Sequence, residues 1–124
     1  MSGGQERYYL NNPSLITCIV ERGRADEVVR AAMKAGAPAA TIHFARGSGV
    51  RERLSLLLRI AISPEKEVID VVAPAETAEA IFEAMVEAGQ IHLPGKGFIY
   101  MLPVTKALTH VPTPEEIAGP DSRA

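Results

Sequence analysis

Two short glycine turns carry most of the chemistry on offer in this sequence. The strand-like run Thr41–Arg46 leads into Gly47, Ser48 and Gly49, and further on Gly95, Lys96 and Gly97 lead into Phe98. Glycine permits positive φ and lets a ligand approach the main chain closely. Successive N–H groups exposed in such a turn form a concavity that attracts anions. Two such turns in one small domain point to a phosphate-bearing ligand. Either turn alone reads more readily as an ordinary strand end. The pair gains its meaning from its place in the chain.

The other reactive residue types point nowhere so definite. His43, His92 and His110 are scattered and lack a Cys or carboxylate pattern that would converge on a metal, so no metal site is read here. The single Cys18 excludes an internal disulfide and a cysteine-rich zinc site. It sits in an apolar run and reads as a buried small hydrophobe. No Ser/His/Asp or Cys/His arrangement emerges, and the chain reads as a non-enzyme. Most carboxylates fall on helix surfaces. Asp70 is the exception, set in an apolar strand where it faces an interface or a neighbouring arginine.

Composition narrows the class. At 124 residues, 47% hydrophobic and 23% charged, the chain reads as one ordinary soluble domain. A formal net charge of −2 argues against a broad nucleic-acid surface. The first residues are polar and unlike a secretory signal, and no apolar run reaches membrane-spanning length. A cytoplasmic location is the default expectation.

The elements that must position the glycines follow from periodicity. Residues 1–13 read as a flexible leader. Leu15–Glu21 is rich in β-branched residues and strand-like. A helix starts near Asp26, places Val28, Val29, Ala32 and Met33 at helical spacing, and stops at Gly36. Ala40–Phe44 is a second strand and Val68–Ala73 a third, with Pro64–Glu67 as punctuation before it. Glu76–Ala88 is an amphipathic helix with Gly89 placed to cap it. Phe98–Val104 is a fourth strand, and residues 109–124 read as a flexible tail. Strand, helix, strand, strand, helix, strand is the α+β, ferredoxin-like βαββαβ arrangement, an antiparallel four-stranded sheet with both helices on one face. Strands such as Leu15–Val20 and Val68–Val72 are apolar on both sides, which predicts that the open face is covered by other copies of the chain.

In that order and spacing the chain resembles the PII signal-transduction family over roughly residues 15–108, within a domain placed at 14–108. Leu15–Glu21 resembles the family's opening strand, and Asp26, Glu27 and Val28 fall where its first helix carries Asp/Glu-x-Val. Thr41, Ile42 and Gly47–Gly49 fall where the family has Thr-Val and Gly-Phe-Gly before its T-loop, here residues 47–63. Val68–Pro74 resembles the third strand. Gly95–Gly97 with Phe98–Tyr100 resembles the B-loop and fourth strand.

The resemblance implies a homotrimer with nucleotide sites in the clefts between subunits and mobile loops that dock on a regulated enzyme or membrane transporter. Gly47, Gly49, Gly95 and Gly97 would contact phosphates through the backbone, with Lys96 gripping a phosphate and Arg51 in reach of one. Thr41 would lie beside the adenine or ribose, and Ile19 near the base. Arg51, Arg53, Leu54, Leu56 and Leu57 would form the partner-binding loop. No cofactor is required. AMP, ADP, ATP or another small anionic effector is the expected ligand.

Three departures weigh on that ligand. Phe98 stands where ATP-binding relatives carry Lys, Val50 stands in the family's Arg position, and the Arg-x-Arg after the last strand is absent. Each charge-assisted contact is worth about 1.5–3 kcal/mol, so the third phosphate of ATP gains little here. The T-loop segment is shorter than in the family and has no tyrosine to modify. The alternative is a trimeric divalent-metal-binding protein that resembles the CutA type.

Overall fold

The computed structural model describes residues 9–47 and 65–110. Six elements follow in order: β1 Ser14–Glu21, α1 Ala25–Lys34, β2 Thr41–Arg46, β3 Glu65–Ala73, α2 Ala75–Gly89 and β4 Gly97–Pro103. The strands form one antiparallel sheet in the order β2-β3-β1-β4. Both helices pack on the same face and on each other. This is the ferredoxin-like α+β fold expected from the pattern.

The core forms where the period-two face of the strands meets the helical stripes. Ile16, Cys18 and Val20 of β1 and Ile69, Val71 and Ala73 of β3 are buried against Val28 and Ala32 of α1 and Ile81 and Met85 of α2. The register sets the opposite face. Leu15, Thr17 and Ile19 pair with Val72, Asp70 and Val68 on one side and with Leu102, Tyr100 and Phe98 on the other. On β4 that row is open to solvent, with Phe98 62%, Tyr100 38% and Leu102 50% exposed.

Several boundaries depart from the sequence reading. β3 begins at Glu65, immediately after Pro64, because its first residues pair with both neighbours: Arg46 with Glu65 on β2, and Glu21 with Lys66 on β1. β2 likewise runs on to Arg46. Gly89 is not the cap of α2. It is buried in the last turn, where an added Cβ would come within 3.0 Å of Ile91 Cδ1 and 3.4 Å of Val28 Cγ2. Gln90 takes the left-handed cap instead, at φ 54°. Gly36 does stop α1, at φ 111°.

Neither helix is capped by its own N-cap side chain. At α1, Glu67 of β3 accepts from the Gly23 N–H at 2.8 Å and the Ala25 N–H at 3.0 Å. A carboxylate there satisfies free donors and complements the helix dipole. At α2, the Ala75 N–H donates to the Asn11 carbonyl at 2.8 Å, and Asn11 Nδ2 donates to Glu76 at 3.5 Å. The end of the leader is therefore tied to the domain. The Leu10 N–H bonds Ala107 O, the Val104 N–H bonds Pro13 O, and Tyr9 bridges to Leu108. Residues 9–13 and 104–108 form a short antiparallel ribbon beyond the end of the β1–β4 ladder.

Candidate functional site

The candidate residues fall into two groups at different places on the sheet. Gly47 follows the last pair of β2, Arg46 with Glu65, and Gly97 opens β4 opposite Val20. Both lie at the end of the sheet where β1 finishes and β3 starts. They sit on opposite edges, three strand spacings apart, or roughly 14 Å. Ile19 lies between them, half-buried on the open face, paired with Phe98 and Val68.

The Gly95–Gly97 turn has the geometry that its glycines imply. Gly95 has φ 76° and Gly97 φ 151°. A Cβ on Gly97 would stand 2.2 Å from the Ile19 carbonyl oxygen. The turn is thus pressed on the backbone of β1 at a distance that only glycine tolerates. Lys96 lies in this frame, half-buried, with its N–H on Leu93 O at 3.4 Å. Phe98, next along, is exposed and stacks at a tilt on Tyr100, ring centroids 5.9 Å apart.

Thr41 is elsewhere. It starts β2, so roughly 20 Å of strand separates it from Gly47. It lines a hollow of about 230 Å³ with Asp70 and Thr109 as its other polar members and Leu10, Pro38, Val72 and Leu108 among its apolar walls. Among the described residues Asp70 meets Thr17 and His43 rather than the neighbouring arginine that the sequence allowed. Its carboxylate accepts from the Thr17 hydroxyl at 2.7 Å and lies 3.3 Å from His43 Nε2. The register explains this cluster, since Thr17, Asp70 and Thr41 share one cross-strand row and His43 follows on the same face. It is a polar cluster between the apolar pairs Leu15–Val72 and Ile19–Val68 of the same face.

Gly49, Arg51, Arg53, Leu54, Leu56 and Leu57 lie outside the described residues. Among the described residues no group of three or more His, Cys, Asp or Glu side chains converges to hold a metal. Cys18 is fully buried, and burial pushes its thiol up to about 12, far from a reactive thiolate. No described helix is long and apolar enough to cross a membrane.

Sequence reasoning missed Leu10 and Asp70 as neighbours of Thr41. The leader carries no periodic signal. Asp70 is recognisable only as a carboxylate in an apolar strand.

With the sheet, its glycine end and the hollow in place, one comparison is decisive. Residues 14–111 match the family described as nitrogen regulatory protein P-II. The chain belongs to that family. The crystal structure of Arabidopsis thaliana PII bound to citrate shares the P-II fold seen here, with a TM-score of 0.58 at 20% identity, covering 81% of this chain and 91% of that one. No curated protein shows significant similarity to the chain. P-II membership makes this a regulatory protein that binds small effectors, and P-II proteins act as regulators rather than as enzymes.

Proposed function

We propose that this P-II protein is a homotrimer that binds an adenine nucleotide in the clefts between its subunits and regulates an enzyme or membrane transporter through residues 47–63. The observation that carries the reading is the separation of the two groups. The hollow at Thr41 and the glycine at the far end of β2 stand roughly 20 Å apart along one strand. That is too far for the base and phosphates of one nucleotide. A neighbouring copy can set its own hollow against the glycine end, so that the base meets Thr41 and the phosphates meet Gly47, Gly49, Gly95 and Gly97. Ile19 then packs near the base, and Lys96 supplies the charge, with Arg51 beside it.

The uncovered row Phe98, Tyr100 and Leu102 supports assembly, because a contiguous apolar patch of this kind marks an interface. Arg51, Arg53, Leu54, Leu56 and Leu57 offer a basic and leucine-rich contact surface to the partner. A ligand acts on that partner only by favouring one arrangement of the chain over another.

Thermal-shift measurements with AMP, ADP, ATP, citrate and divalent cations test the reading, since a ligand of the native state raises apparent stability. A rise with adenine nucleotides is expected. A rise with divalent cations alone would favour the metal-binding alternative, and a rise with citrate alone would replace the nucleotide with a polycarboxylate.

A further inference from the structure

We infer that the segment before β1 is part of the effector site, and that Leu10 is a specificity-determining residue for the ring-bearing half of the ligand. The inference rests on the nucleotide reading above and adds to it a wall built by the chain's own N-terminal segment.

The geometry is that of a built element. Leu10 and Leu108 lie on adjoining strands of the ribbon and both line the hollow beside Thr41, Asp70 and Val72. The ribbon is held by Leu10 N–H to Ala107 O at 3.0 Å and by the Tyr9–Leu108 bridge. Asn11 fixes the next residue to the start of α2 through its carbonyl and its side chain. Leu10 is thus positioned from two sides, by the chain after β4 and by a helix end. Lys106 Nζ stands 5.9 Å from the Tyr9 ring centroid, so the ribbon also has a cation over its aromatic residue.

The chemistry of the hollow selects its occupant. Its walls are leucine, valine, proline and alanine beside Thr41, Thr109 and Asp70, a lining that suits a ring with apolar faces and a polar edge. Asp70 is the one carboxylate among its lining residues. Its two oxygens already accept one bond from Thr17 and face His43. A carboxylate has about four acceptor sites, so about two remain, enough to accept an N–H of the ring. The ligand class is therefore a flat heterocycle that donates a hydrogen bond and lies against Leu10. Phosphate contacts belong to the glycine end and do not involve this wall.

The test uses three probes on the full chain by calorimetry: ADP, adenosine as ring without phosphate, and pyrophosphate as phosphate without ring. Leu10→Ala removes an apolar wall and should weaken ADP and adenosine about fivefold, leaving pyrophosphate unchanged. Leu10→Trp fills the hollow and should weaken both ring ligands tenfold or more, again sparing pyrophosphate. Hydrogen exchange at the Leu10 amide should slow when adenosine binds. If the native chain binds ADP and both variants bind it equally well, the inference is overturned while the nucleotide reading stands. If pyrophosphate binding falls with that of ADP, Leu10 is structural and the inference is overturned. If the native chain binds none of the three probes, the nucleotide reading falls and takes this inference with it.

Discussion

Cys18 shows how position decides what a reactive residue can do. It is fully buried between the sheet and the helices, and burial alone raises its thiol from 9.0 to about 12. Native protein should therefore resist thiol reagents at neutral pH, with full modification only after denaturation. The linkage has a definite sign. The folded-state value lies above the unfolded one, so the stabilisation is complete below pH 9.0 and is lost as pH rises towards about 12. Between pH 8 and 10.5, urea unfolding of the native chain should lose about 2 kcal/mol more than that of Cys18→Ala. Equal losses would show that the thiol ionises as readily in the fold as outside it. Gly97 is the opposite case, a residue fixed by the absence of a side chain. Its added Cβ would meet the Ile19 carbonyl oxygen at 2.2 Å, at φ 151°. Gly97→Ala should cost about 2 kcal/mol or more in thermal or denaturant unfolding. Both residues were legible in the sequence, Cys18 from its apolar neighbours and Gly97 from its Gly-x-Gly frame. Asp70 was only half legible. Its place in an apolar strand was visible, but its bond to Thr17 depends on the β1–β3 register, which no local pattern contains.

Elements were legible where their signal is local. The β-branched run of β1 and the apolar stripe of α2 are local signals, and Gly36 stops α1 by a conformation that glycine favours. Their ends were less so. Gly89 carries the usual mark of a helix stop, yet it is a packing glycine, lying where α2 meets Val28 and Ile91 closely. The caps were not legible at all, because both come from remote chain. Glu67 lies on β3, and its carboxylate reaches the N–H groups of Gly23 and Ala25. Glu67→Ala should destabilise the fold by about 1 kcal/mol, the usual cost of a lost N-terminal cap. Glu67→Gln keeps an acceptor oxygen and should recover part of that. Denaturant midpoints of the two variants check this, and an unchanged midpoint for Glu67→Ala would mean that solvent serves the same donors equally well.

The whole molecule has a face that a single copy leaves uncovered. Phe98, Tyr100 and Leu102 stand exposed on β4 beside Leu15, Ile19 and Val72. Light scattering should give about three times 13.3 kDa for the native chain. Tyr100→Lys places a charge in that row and should shift the mass toward the monomer; a native chain already monomeric would remove the cleft itself. In the proposed function, the separation of hollow and glycine end makes the ligand site a property of the assembly. The most direct test is calorimetric titration of the native chain with AMP, ADP and ATP, with Lys96→Ala beside it. One site per protomer is expected, with ATP binding no more than a few-fold tighter than ADP, since the proposed site has Phe98 rather than a cation for the third phosphate. Lys96→Ala should weaken ADP roughly tenfold. No heat of binding from any of the three nucleotides at millimolar concentration would contradict the proposed function.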